Sequence, residues 1–469
     1  MHLIKPQLQS RRAFLRRSSQ LALAGTALPF ALNLAAVGEA AAFNATDYKA
    51  LVCVFLAGGN DYANTVVTYD PDSHNRYRNI RGGVSLARDA LAPTLLRPTA
   101  PLAGGREYAL HPNMRALAGL FNSGKAAVQL NVGPLVIPLT RTQYESADRQ
   151  RFPIPPKLFS HNDQQSVWQA SAPEGAPAGW GGNIGDLAMS GNTHSTFTCI
   201  SVAGNAVFVS GNQALAYQLS PNGAIPINGI KNNVYGSSAV RSALSQLIQE
   251  PRTQTLENEY NRVTARAVGA ETQVQSALAS TSLSTQFPGA NSLADQLRAV
   301  ARLIGGRNTL GARRQVFFVQ LGGFDQHDGL MSMHPQLIAK VDAAMAAFYN
   351  ATVELGVADK VTAFTASDFG RTLASNGDGT DHGWGGHHMV VGGAVRGASF
   401  YGTPPPVSVG NTAAPEDQWH VGQGRLLPST SVDQYAATLA RWFGVADSEM
   451  AGILPNIGNF ATRNLGFMG

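Results

Sequence analysis

Eight residues, DHGWGGHH from Asp381 to His388, hold three of the chain's eleven histidines beside one aspartate and three glycines. A second stretch, GGFDQHDG, places Asp325, His327 and Asp328 together. A third, SDFGRT, supplies Asp368 and Arg371, and a fourth, GGND, ends in Asn60 and Asp61. Imidazole and carboxylate together suit zinc, manganese or iron, whereas calcium prefers oxygen ligands alone. The glycines at 383, 385 and 386 let the backbone turn tightly enough for several side chains to face one point. From the residues alone, Asp381 and His382 are expected as direct ligands, joined by one of His387 or His388. Two adjacent residues that open a strand point to opposite faces, so the other histidine lies outside the ligand set. Plainer roles exist for each group. An aspartate after a strand also serves as a turn former or helix N-cap, and Asp368 could pair with Arg371.

The elements that must position these groups can be read from the hydrophobic pattern. YKALVCVFLAGGND (48–61) is a buried strand that delivers Asn60 and Asp61 to the loop at its end. A helix over 114–124 and a strand over 126–133 follow, which suggests a parallel βαβ unit. NDQQSVWQA (162–170) is expected as a helix with Ser160, His161 and Asn162 in its N-cap region. Residues 196–235 read as a small antiparallel excursion and 237–304 as a helical insertion. The strand–helix rhythm then resumes with a strand over 315–325, a helix over 334–356, strands over 360–370 and 387–395, and a closing helix over 433–444. The expected fold class is α/β, a mostly parallel central sheet flanked by helices, with 43–469 forming one domain.

Asp61, Asp325 and Asp368 each stand within a residue or two of the end of an apolar strand. Ligands of open parallel sheets bind at the carboxyl ends of the strands. If those three strands are neighbours, their carboxylates converge. Bare carboxylates raise one another's pKa, and a divalent cation keeps them ionised.

The N-terminus is a different object. SRRAFLR is followed by the apolar run LALAGTALPFALNLAA and then by small residues near Ala40 and Ala42. This is the pattern of a twin-arginine export signal over 1–42, shorter than a bilayer span requires. The leader carries four of the chain's five net positive charges, so the mature chain is close to neutral and shows no basic stripe for nucleic acid. The reading is a protein exported folded by the twin-arginine machinery, periplasmic or secreted, with no membrane association after cleavage. Cys53 and Cys199 sit in apolar runs and are expected as buried thiols.

In this order, GGND, SHNDQQSVW, GGFDQHDG, SDFGRT and TDHGWGGHHMVVGGAVRG resemble the bacterial domain-of-unknown-function family numbered 1501, placed in the alkaline phosphatase/sulfatase superfamily. The resemblance runs from about residue 48 to the C-terminus and is weakest over 196–290. It implies an alkaline phosphatase-like fold and a centre of one or two divalent ions, zinc or manganese. Asp61 resembles the first-strand metal ligand, and Ser160 the nucleophile at a helix N-terminus. Asp325 and His327 resemble the next ligand pair, at a shorter spacing than the superfamily's. Asp368 matches the aspartate of an Asp-His pair whose histidine is here Phe369, so one ligand is missing or supplied by Asp381 or His382. The last histidine resembles His382 or His387.

On this basis the chain is expected to be a metal-dependent hydrolase of phosphate or sulfate esters, acting on a small anionic ester or a sulfated or phosphorylated glycan. Ser160 would attack, and Arg371 and Asn60 would bind the non-bridging oxygens. His161 is the alternative functional residue of its pair with Ser160. The second reading is an exported metal- or carbohydrate-binding protein without turnover, which the lost histidine at 369 supports. The C/S-x-P-x-R text of formylglycine sulfatases is absent around Ser160, and no G-x-S-x-G text supports an α/β-hydrolase.

Overall fold

The run from Ala50 to Leu56 contains no polar side chain, and a strand apolar on both faces must be covered on both. It forms β1 (Lys49–Leu56), buried at every position after Lys49. The structure is a computed structural model that describes residues 47–469, so the leader lies outside the described residues.

After β1 come a one-turn helix α1 (Tyr62–Thr65), α2 (Pro71–Arg81), α3 (Arg115–Asn122) and β2 (Ala126–Gly133). Then follow α4 (His161–Ala170), α5 (Trp180–Ala188), β3 (Cys199–Ser201), β4 (Tyr217–Ser220) and β5 (Gly223–Ala224). The helical stretch resolves into α6 (Ser238–Leu247), α7 (Thr255–Ala279) and α8 (Ser292–Gly305). The alternating part is β6 (Arg314–Leu321), α9 (Leu330–Glu354), β7 (Val361–Ser367), the short pair β8 (Arg371–Ser375) and β9 (Thr380–His382), and β10 (Gly386–Gly392). β11 (Ser399–Tyr401), β12 (Thr430–Ser431) and α10 (Val432–Phe443) complete the elements that bear on the site.

The central sheet runs β11-β2-β10-β7-β1-β6-β3-β4-β5, with β12 also pairing β2. Only β10 runs against its two neighbours within the body of the sheet, and β5 against β4 at the edge. A mostly parallel sheet flanked by helices is therefore the architecture. Two expectations hold only in part. β2 runs in the same direction as β1 but is separated from it by β7 and β10. The stretch around 196–235 is antiparallel only where β5 pairs β4, because β3 extends the main sheet parallel to β6 and β4 extends it parallel to β3.

Alternation along β1 splits the core by face. Ala50, Val52, Val54 and Leu56 pack under α3, α8 and α9, while Leu51, Cys53 and Phe55 pack under α5 and α10. Cys53 and Cys199 are buried free thiols. Among the described residues, no helix is long and apolar enough to cross a membrane.

Register decides what the sheet offers. Leu56 stands level with Leu321 of β6 on one side and Ser367 of β7 on the other. Three parallel strands thus end side by side, and the loops bearing Asp61, Asp325 and Asp368 leave from one edge.

Candidate metal centre

The loop after β1 is glycine-rich for a steric reason. Gly58 and Gly59 have φ of +117° and +79°, and a Cβ on Gly58 would stand 2.3 Å from the Asp325 backbone nitrogen. A Cβ on Gly59 would stand 2.3 Å from the Phe369 ring. The close approach lets the Gly58 N–H donate to an Asp368 oxygen at 3.0 Å. The Lys157–Phe159 turn, at the other wall, is also strained. Phe159 holds φ at +74°, a conformation that costs a non-glycine residue about 1–3 kcal/mol. It aims its carbonyl at His382.

Three imidazoles meet around Asp325, and each spends its Nδ1 elsewhere. His161, the first residue of α4, has Nδ1 2.7 Å from an oxygen of Asp368, which is fully buried. His382, at the end of β9, has Nδ1 2.7 Å from the Phe159 carbonyl. His327 has Nδ1 3.3 Å from Asp381 Oδ1. A carbonyl or a carboxylate only accepts, so these contacts put the proton on Nδ1 and leave a lone pair on each neutral Nε2.

The Nε2 atoms then converge. His382 Nε2 lies 3.1 Å, and His327 Nε2 3.2 Å, from Asp325 Oδ1. His161 Nε2 lies 3.3 Å from Asp325 Oδ2 but is buried without a hydrogen-bond partner. The His327 and His382 Nε2 atoms are 2.9 Å apart. Acceptor faces acceptor at each of these contacts, which is the arrangement a cation completes. His161, Asp325 and His382 place their ligand atoms all within 4.8 Å of one another, with His327 adjoining. Nitrogen and oxygen donors in this mix suit zinc or manganese. A hydrogen-bonded carboxylate or carbonyl behind each histidine is the second ring of partners that metal-binding histidines keep.

The charges around the centre follow from contacts. Hydrogen bonding to Asp368 raises the His161 imidazole above its ordinary 6.5, against burial. Burial lowers that of His382. Burial also acts to raise Asp325, but the Arg371 guanidinium, 3.0 Å away, outweighs it and holds the carboxyl below 3.8. The side chains of Asp325 and His327 are 45% and 46% exposed, so a ligand from solvent can reach the open side.

Several of the expected residues lie apart from this cluster. Asp61 does not reach the centre: it caps α1 through the Asn64 N–H and forms a buried ion pair with Arg81 at 2.6 Å. Asn60 is turned inward, its amide bound to Thr65 and 3.2 Å from His334, so it is not free to bind an ester oxygen. Ser160 donates its hydroxyl to Asp163 of its own helix at 3.0 Å, not toward the histidines. His387 is buried, accepts the Asn131 N–H and packs edge-on to Tyr62, which removes it from the ligand set. His388 packs against Trp168. Asp368 and Asp381 stay at the centre, but behind His161 and His327 rather than in front of them. Asp325, His327 and His382 come together at the cluster. Arg371 is buried and binds Asp325, Thr380 and the Gly58 carbonyl. Its guanidinium nitrogens are committed to these partners. Phe369 packs its ring 4.9 Å from His161 and 4.6 Å from His382, an apolar wall where a further histidine was expected. His161 enters the cluster, a role the sequence left open between it and Ser160.

A family described as "Protein of unknown function (DUF1501)" matches residues 48–454. The chain belongs to DUF1501. No curated protein matches it significantly. Among solved structures, this DUF1501 chain is similar to Ps i-CgsB in complex with k-i-k-neocarrahexaose, at 10% identity and a TM-score of 0.35, covering 88% of this chain and 77% of that one. It is similar to the PsFucS1 sulfatase from Pseudoalteromonas sp., at 8% identity and 0.29, covering 75% and 64%. A mutant of the alkaline phosphatase PafA aligns at 11% identity and 0.26, covering 70% and 64%. Two of these neighbours are a sulfatase and an alkaline phosphatase. The likeness is too loose to assign a role to any residue of the DUF1501 chain.

Proposed function

We propose that this chain is an exported hydrolase of phosphate or sulfate esters that works with a single divalent ion, zinc or manganese, on a small anionic ester or a sulfated or phosphorylated glycan. The observation that carries the reading is the convergence of three Nε2 lone pairs on Asp325, each imidazole fixed by an acceptor at Nδ1. His161, Asp325 and His382 would hold the ion, with His327 as a further ligand. When bound, such an ion supplies Lewis acidity toward an ester oxygen and lowers the pKa of a water near it. Ser160, facing Asp163, is not the nucleophile in this reading, and water takes that part. Asp368, Phe159 and Asp381 fix the imidazoles, and Arg371 positions Asp325. The first turn of α4 has no side-chain cap, so its N–H groups add a positive end beside the centre for an anionic substrate. The twin-arginine leader supports export of the folded protein.

One observation favours the non-catalytic reading: neither Ser160 nor Asn60 presents a free group to the centre. The two readings separate by measurement. Metal content by mass spectrometry on mature protein should show one ion per chain, lost in Asp325→Ala/His382→Ala. Turnover of nitrophenyl phosphate or sulfate should then follow the ion. Stoichiometric metal with no turnover of any phosphate or sulfate ester would leave a binding protein, and folded wild type that takes up no metal would overturn the hydrolase and the metal-binding reading alike, leaving only carbohydrate binding.

A further inference from the structure

Nine of the thirteen large hydrophobic side chains that are exposed among the described residues fall between Leu215 and Val263. Exposed apolar side chains that adjoin one another mark interaction surfaces. The most regular part of this stretch is on α7. Leu256, Tyr260 and Val263 are 86%, 70% and 49% exposed, and their spacing sets them on one stripe that the exposed Ala267 continues. The same stripe runs on into Ala270, Val274 and Leu278, which are buried in the chain's own core with α8. The C-terminal half of α7 thus packs its apolar seam within the molecule, while the N-terminal half carries the seam into solvent.

We infer that the exposed half of α7 pairs antiparallel with the same helix of a second copy of this chain. The heptad spacing 256, 260, 263, 267 is that of a coiled-coil seam. A two-fold axis between Tyr260 and Val263 sets Tyr260 against Val263 of the second copy and Leu256 against its Ala267, a self-complementary contact. Charge fits the same axis. Glu259 and Arg266 flank the stripe on one side, seven residues apart, and bond to each other at 2.9 Å within the chain. In the antiparallel pair, each Glu259 comes opposite Arg266 of the second copy, so the flank becomes a network of four alternating charges. A parallel pair would force both protein bodies to the same end of the helices, whereas the antiparallel pair sends them to opposite ends.

The test is sedimentation velocity with light scattering on the mature full chain over a range of concentrations. A dimer is expected, and Leu256→Glu/Tyr260→Glu should abolish it with the circular dichroism spectrum unchanged. Glu259→Arg should weaken the dimer by facing arginine with arginine, and Glu259→Arg/Arg266→Glu should restore it while keeping the intrachain pair. A wild type that stays monomeric throughout, or a dimer that survives Leu256→Glu/Tyr260→Glu, overturns the inference. A charge swap that fails to restore the dimer overturns the antiparallel register.

Discussion

Asp368→Asn isolates what a fully buried carboxylate does for the half-buried histidine it holds in place. Asp368 has no exposed surface and receives three donors: His161 Nδ1–H at 2.7 Å, the Gln165 amide at 2.8 Å and the Gly58 N–H at 3.0 Å. Asparagine has the same shape but one donor end. Placed with its NH2 toward His161, it makes Nδ1 an acceptor, moves the imidazole proton to Nε2 and removes the lone pair from the centre. Placed the other way, it turns two N–H groups toward the Gly58 N–H and leaves donors facing each other. Either way the ligand is lost or the backbone strained. Loss of such a supporting partner costs about 10- to 100-fold in metal affinity, or ~1.4–2.8 kcal/mol. The assay is competition with a zinc chelator of known affinity on folded variant and wild type at one pH. Thermal unfolding of the metal-free forms separates loss of fold from loss of ligand. A folded Asp368→Asn variant that binds zinc as tightly as wild type refutes the argument, because His161 would then not be a ligand held in one tautomer by Asp368.

Other perturbations test the roles that moved. Arg81→Ala leaves Asp61 charged and buried, and breaking such a pair costs about 3–5 kcal/mol, read by chemical denaturation. Asp61→Asn should keep full metal stoichiometry, where a direct ligand would lose it. Ser160→Ala should leave turnover of nitrophenyl esters nearly unchanged, whereas loss of a true nucleophile costs orders of magnitude in kcat. Asp433 gives a pH signature. Burial raises its carboxyl from 3.8 to about 6, so between those values the folded chain binds the proton and the unfolded chain has released it. Stability therefore falls as pH rises through that window, by about 3 kcal/mol once above both values. Asp433→Asn, which keeps an acceptor for the Asn456 N–H, should flatten the stability profile from pH 4 to 7 in denaturant titrations.

What the sequence made legible was the set of strand ends. Continuous apolar runs ending in glycine and aspartate located β1, β6 and β7, and the expected crevice follows from their shared register. The sheet edge was less legible. Cys199–Ser201 is too short a strand for its pattern to name its neighbour. Within the site, residue type was readable but distance was not. Asp61 and Asp325 look alike in sequence, each following a glycine-rich strand end. What separates them is Arg81, twenty positions away on α2, whose text resembles any solvated helix. Asp368 reads equally well as ligand or support, since the difference is the width of one imidazole. His161 had a signal that the neighbouring serine obscured: a histidine at the first position of a helix, next to strand ends rich in aspartate.

The balance of donors and acceptors then argues for one ion rather than two. Beside Asp61 a cation is already present, the Arg81 guanidinium at 2.6 Å, and the Asn64 N–H and the Thr380 hydroxyl also donate to the carboxylate. Its charge is already paired within the buried interior. Beside Asp325 the count is reversed. Three Nε2 atoms and both carboxylate oxygens face inward, and the hydrogen-bond donor fixed among them is Arg371, through Oδ1 alone. Protons could fill the deficit only by charging an imidazole; Asp368 favours that at His161, but burial opposes it at His382, whose Nε2 still faces that of His327. A divalent cation would satisfy every acceptor at once, and the exposed side of Asp325 and His327 would leave room for a further ligand on that ion. Phe369 closes the flank on which a second ion would need another imidazole, and the Gly59 backbone, packed against its ring, keeps it there.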